Sequence, residues 1–180
     1  MTEISLHILD IVQNSIAAHA SLIRITINED LRGDVLTIEI TDDGKGMTKE
    51  ELKLAADPYF TSRTTRKVGL GLSLFKQAVE QCSGSFSIDS QPGVGTKVTA
   101  SLQYAHIDRQ PLGDMAGVVS LLASSNPSID FIYKHISNKN EFMLDTREIK
   151  EQLDGISIAN PKVKKFIREM IQENLNDINN

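Results

Sequence analysis

Two stretches near the N-terminus alternate apolar and polar side chains at every step: "SLIRITIN" (21–28) and "VLTIEIT" (35–41), separated by "EDLRGD". A period of two puts every second side chain on one face of a strand, so the pair predicts a β-hairpin with one apolar and one polar face. Such a hairpin is not stable alone in water, and its apolar face demands a second layer. A cover is close by. Residues 3–20 carry Ile4, Ile8, Leu9, Val12 and Ile16 at three- and four-residue spacing, the stripe of a helix with one buried face.

The next hundred residues extend the pattern. "KEELKLAA" reads as a short helix opened by a Thr48/Glu51 capping box. A polar, basic loop from Thr61 to Val68 leads into a helix expected to bury Leu74, Ala78, Val79 and Cys82. "GSFSIDS", the turn "QPGVG" and "TKVTASLQY" form a second hairpin. Helix, two strands, helix, loop, helix, two strands predicts an α+β fold, with one antiparallel or mixed sheet carrying helices on one face. A boundary is drawn after Tyr104. Residues 105–180 then form an α+β appendage: a connector "AHIDRQPLGDM", a helix from about Leu112 to Ala123, a hairpin pairing "IDFIYKH" with "EFMLDT", a helix "REIKEQL", and a last helix with Asn160 as N-cap and Pro161 at its first position. The appendage either packs onto the first sheet or forms a separate small domain.

Composition narrows the function classes. With 180 residues, 40% of them hydrophobic, the chain can bury one real core. A formal net charge of -5 lacks the broad positive field that drives phosphate-backbone binding, which argues against a nucleic-acid partner. The single cysteine, Cys82, excludes an internal disulfide and a multi-cysteine metal cluster, and the four scattered histidines have no ligand spacing for zinc. No apolar run approaches the roughly 18 residues of a membrane span, and "MTEISLHILD" has an acid where a signal peptide carries lysine or arginine. A soluble, cytoplasmic protein with no membrane partner is expected.

Three features could carry chemistry. Asp10 and Asn14, four apart, project from one side of the first helix, and an acid with an amide there could orient a nucleophile and offer an oxygen to Mg²⁺. "TDDGKGM" ends an apolar strand in two acids and two glycines. Asp42 facing inward could accept from an exocyclic amine while Gly44 and Gly46 let a flat ring approach the backbone. "GLGLSL" starts a helix behind "TSRTTRK", and unpaired N–H groups at a helix start can seat phosphate oxygens. Taken singly, each reads first as a solvated stripe, a polar turn or a basic surface loop. There is no G-x-x-x-x-G-K-[ST] phosphate loop, and "GLGLSL" does not complete G-x-G-x-x-G after a strand.

In order along the chain, "DIVQNSIAAHA", "DDGKGM", "DPYFTSRTTRKVGLGLSL" and "QPGVGTKV" resemble the N, G1, F, G2 and G3 boxes of the GHKL superfamily of gyrase, heat-shock chaperone, histidine kinase and MutL ATPases. The resemblance covers residues 4 to about 103 and is closest to histidine-kinase catalytic domains. It implies a Bergerat-type two-layer α/β sandwich that binds ATP with Mg²⁺. It further implies Asn14 as the metal ligand, Asp10 as the general base, and Asp42 with Gly44, Gly46 and Thr96 at the adenine. Gly69 and Gly71, with the amides of Leu70 and Leu72, would hold phosphates beneath a lid bearing Arg63, Arg66 and Lys67. A protein partner, as phosphoacceptor or regulated protein, and a homodimer are compatible with this family.

Departures shape the expected activity. Many relatives carry glutamate where this chain has Asp10, so turnover is expected to be slow, and Ala17 replaces the acid of MutL-like members. His7 is followed by Ile8 rather than an acid and does not resemble a phosphoacceptor, which favours transfer to a second polypeptide or an ATP-dependent binding switch. "HIDRQPLGDM" and "FMLDTREIKEQL" resemble small stand-alone ATP-binding proteins of anaerobic bacteria, some encoded near iron-hydrogenase genes.

Overall fold

Alternation in the two N-terminal stretches becomes a hairpin of β1 (Leu22–Asp30) and β2 (Val35–Asp42), with Ile23, Ile25, Ile27, Leu36, Ile38 and Ile40 all buried on one face. The structure, a computed structural model, describes residues 2–55, 57 and 70–180. Around the hairpin lie α1 (Ile4–Ala17), α2 (Lys49–Ala55), α3 (Leu70–Glu80), β3 (Ser85–Gln91) and β4 (Gly95–Gln103). Then come α4 (Met115–Ser125), β5 (Asp130–Ser137), β6 (Asn140–Asp145), α5 (Thr146–Gln152) and α6 (Pro161–Ile178).

All six strands form one sheet in the order β3-β4-β2-β1-β5-β6, antiparallel throughout except for the β1–β5 pair. Register lines up one core row across it: Ile88, Val98, Ile40, Ile25, Tyr133 and Leu144 are successive cross-strand partners. Each buried isoleucine in such a row contributes about 1.5–3 kcal/mol relative to an exposed one. α1, α3, α4 and α6 cover this face, and their apolar residues join the same cluster as the strands. The other face stays polar, with Arg24, Thr41 and Lys97 in one cross-strand row.

Local signals behave as their chemistry requires. The Thr48 N–H donates to Glu51 Oε2 at 2.9 Å and the Glu51 N–H to Thr48 Oγ1 at 3.2 Å, the reciprocal bonds of a capping box. Asn160 Oδ1 accepts from the Lys162 N–H at 2.9 Å, and Pro161 opens α6 where its missing N–H costs nothing. One expectation is corrected. α3 buries Leu72, Phe75 and Val79, whereas Leu74 is 42% exposed and Ala78 half-buried. Positions 72, 75 and 79 share one stripe at 3.6 residues per turn, and Leu74 lies about 130° around the helix from its centre.

The segment after Tyr104 continues this sheet. β5 lies parallel to β1 and sends Phe131 and Tyr133 into the shared core. Glu3, preceding α1, offers no side-chain cap, and the N–H groups of Ile4 and Ser5 donate instead to the carbonyls of Pro111 and Leu112 at 3.0 and 2.8 Å. The connector therefore satisfies helix donors that would otherwise be unpaired. A buried polar chain adds to the attachment: the Tyr133 hydroxyl bonds His135 Nδ1 at 2.7 Å, and His135 Nε2 bonds Glu29 Oε1 at 2.5 Å. Burial pushes the Glu29 carboxyl up, but hydrogen bonds from His135 and Tyr104, with the charges of His135 and Arg109, together hold it below its ordinary value. Truncation after residue 104 should abolish the cooperative thermal transition seen by circular dichroism in the full chain, because β1 loses its neighbour and α1 its cap.

Candidate functional site

β2 ends at Asp42, which keeps the inward phase of Ile38 and Ile40 and is therefore aimed at the helical layer with 9% of its surface exposed. A carboxylate buried there needs donors. Ser15 on α1 gives its hydroxyl to Oδ2 at 2.6 Å, and the Gly44 N–H binds Oδ1 at 2.8 Å. Asp43 has the opposite phase and a different task. Its carboxylate accepts from the Ser21 N–H and hydroxyl at 2.7 and 2.5 Å and from the Leu22 N–H at 2.9 Å, pinning the start of β1. Partial burial would raise its pKa, but these donors prevail and hold it below the usual carboxylate range.

The glycines around Asp42 are places of close approach. A Cβ on Gly44 would lie 2.9 Å from both Cβ and O of Ala18, where the loop folds against the end of α1. Gly46 adopts φ +69, and a Cβ there would meet the Gln91 carbonyl oxygen at 1.9 Å. Opposite Asp42 in the β2–β4 register stands Thr96. Its hydroxyl lies 2.8 Å from Ser90 Oγ, which also accepts from the Met47 N–H at 2.9 Å. The loop after β2 and the β3–β4 turn are thus fastened to each other beside the carboxylate.

α1 carries Asp10 and Asn14 half-buried, one turn apart. α3 meets it there: a Cβ on Gly71 would lie 2.9 Å from Asp10 Cβ and 3.6 Å from Asp10 Oδ2. One turn back along α1 and one turn on along α3, His7 stacks on Phe75 with centroids 5.2 Å apart. Gln110 of the connector bonds His7 Nε2 at 3.1 Å, while the buried Nδ1 has no hydrogen-bond partner among the described residues. A neutral ring with its proton on Nε2 suits both facts. Burial lowers the His7 pKa below 6.5 and outweighs the opposing bond to Gln110.

The structure therefore brings Asp42, Gly44, Gly46 and Thr96 together at one end of the sheet, and Asp10 together with Gly71 between the two helices. Leu72 has its side chain in the core, 5% exposed, leaving only its backbone to face a ligand. Arg63, Arg66, Lys67 and Gly69 lie outside the described residues. Among the described residues, no group of three or more His, Cys, Asp or Glu side chains could hold a metal, so Asn14 would need oxygens from a ligand to complete a site. No described helix is long and apolar enough to cross a membrane. Ser15 escaped sequence reasoning although a signal existed, since it continues the buried stripe of Ile8, Ile11 and Val12 and a hydroxyl on that stripe requires a partner.

The chain matches the family described as "Histidine kinase-, DNA gyrase B-, and HSP90-like ATPase" over residues 2–106. It is 32% identical over 112 residues to the "Non-motile and phage-resistance protein" of Caulobacter vibrioides, a match covering 57% of this chain and 13% of that protein. To "Sensor protein DegM" of a Bacillus species it is 36% identical over 95 residues, covering 53% and 25% respectively. To "Sensor histidine kinase ZraS" of Escherichia coli it is 31% identical over 106 residues, covering 59% and 23%. These matches span a quarter or less of each relative.

The neutral His7 generates a pH dependence. Between its lowered folded pKa and 6.5 the unfolded chain binds a proton that the folded chain refuses, so stability falls as pH drops below 6.5. Urea unfolding at about pH 7.5 and about pH 5.5 should show a smaller loss of stability in His7→Phe, which keeps the stacking on Phe75, than in the parent. Equal losses would mean that His7 does not set this slope.

Proposed function

The chain belongs to the histidine kinase-, DNA gyrase B-, and HSP90-like ATPase family, and from that membership we propose that it binds ATP with Mg²⁺ and passes the terminal phosphate to a partner protein in a cytoplasmic regulatory pathway. The observation that carries the reading is the Asp42 carboxylate. It is buried, accepts from two neutral donors, and has no ion-pair partner among the described residues. Its remaining lone pairs suit a neutral N–H donor, and the amino group of adenine is one. The Gly44 N–H binds its Oδ1, and Thr96 stands opposite it in the β2–β4 register.

From the base the triphosphate would run along α1 toward the start of α3. There the backbone N–H groups at Gly69, Leu70, Gly71 and Leu72, with Arg63, Arg66 and Lys67, would hold phosphate oxygens. Asn14 and Asp10 offer few protein oxygens, which fits Mg²⁺: this ion usually keeps several waters and takes one or two protein oxygens beside phosphate. Bound there, the metal would neutralise charge developing on the transferred group. Asp10 would accept the proton of the attacking group on the partner. Sensor proteins among the relatives support a signalling role.

Asp42→Asn should weaken ATP binding in calorimetry by at least about tenfold, since the Gly44 N–H holds the one remaining oxygen and the amide nitrogen is a donor where the amino group of adenine needs an acceptor. Unchanged affinity would sink the adenine assignment. Asp10→Asn should lower phosphate transfer by about 10²–10⁴-fold while moving ATP affinity by less than about threefold. A second reading, a switch in which bound ATP alone alters partner affinity, is favoured by the short Asp10 side chain packed against Gly71. It prevails if Asp10→Asn leaves ATP-dependent partner binding intact.

A further inference from the structure

α6 carries its charges in the opposite order to the one a solitary helix favours. Residues 161–168 hold Lys162, Lys164, Lys165 and Arg168 and no acid, whereas residues 169–178 hold Glu169, Glu173 and Asp177 and no base. The helix macrodipole stabilises acids near the N-terminus and bases near the C-terminus, so each half opposes it. Its ion pair Lys165–Glu169, at 3.9 Å, also runs lysine before glutamate, the weaker orientation along a helix.

The same helix borders the outer strand of the sheet. Among the described residues β6 pairs only with β5. The turn at Asn138 and Lys139 makes Ser137 and Asn140 a hydrogen-bonded pair, and alternation from there points the backbone groups of Glu141 and Met143 outward, while Asp145 is engaged as the N-cap of α5. α6 packs on β5 and β6 through Ile167, Ile171, Leu175 and Ile178. Arg168, bonded to Asp114 at the N-cap of α4, marks its flank toward α4. Two residues is about 200° of helix, so Phe166 lies on the other flank, the one above the β6 edge. Phe166 is 59% exposed there, and Met143 is 57% exposed on the strand.

We infer that this chain forms a two-fold dimer through the β6 edge and α6. An isologous contact needs a surface that complements itself, and α6 does so. The two-fold sets it antiparallel to its copy, placing each basic half against an acidic half, with Lys162 toward Asp177 and Phe166 in the seam. The strand selects a compatible register. Centred on Phe142, each Glu141 faces the second copy's Met143, so both outward residues of each strand find partners; centred on Met143, Glu141 would face Asp145, whose carboxylate Arg147 already holds. Charge segregation within one helix favours a second copy over an unrelated peptide.

Light scattering and sedimentation of the full chain at low salt test this, and should give twice the 19.9 kDa chain mass. Lys162→Glu, on the surface, should weaken association at least about tenfold, and adding Asp177→Lys should restore it by swapping the pair. Circular dichroism confirms that each variant folds. A single-chain mass up to about 100 µM overturns the proposal, including the case in which an extended peptide of another protein adds to β6 of that monomer. So does a dimer indifferent to both substitutions.

Discussion

A carboxylate at the buried end of an apolar strand organises this molecule. Asp42 sits in line with Ile38 and Ile40, where an ionised group without donors would cost several kcal/mol. Ser15 from α1 and the Gly44 N–H from the following loop answer that cost, and in doing so tie helix, strand and loop together at one point. Gly95, at φ +138, has no room for a side chain because the Asp42 carbonyl oxygen would lie 1.9 Å from its Cβ. Backbone and side chain of one residue thus fix the approach of β4 and the tilt of α1.

The neighbouring acid shows how narrowly strand phase divides roles. Asp43 differs from Asp42 by one position and by one flip of the pleat. It spends its lone pairs on Ser21 and Leu22, while Asp42 retains capacity toward the helical layer. At the far end of the same face, Glu29, His135 and Tyr133 form a polar chain satisfied by the protein itself. Polar groups at the two ends of one sheet face have opposite characters: one end is closed and structural, the other is bordered by glycines and half-buried side chains on α1.

Much of this was legible in the sequence because its causes are local. The alternation of 21–41, the Thr48/Glu51 box and the Asn160–Pro161 start each act within a few residues, and each appears in the structure. Leu74 departs from its expected burial because several phases of the α3 stripe fit the apolar spacing, and only the packing of Phe75 against His7 and Phe86 selects one. Ser15 is ambiguous in the sequence because a helical serine can bond its own backbone or water, and only the fold sets Asp42 against it. The inward aim of Asp42, by contrast, follows from counting residues along β2.

Sequence alone determined which stretches alternate, where helices start, and which of two adjacent acids shares the apolar phase, since periodicity and capping are properties of consecutive residues. Tertiary structure decided that β5 runs parallel beside β1, that the connector caps α1 through Pro111 and Leu112, and that Gly71 of one helix lies against Asp10 of another. These pairings join residues far apart in the chain. Their free energy comes from area buried and donors satisfied only on assembly, and no local pattern in either partner encodes the other.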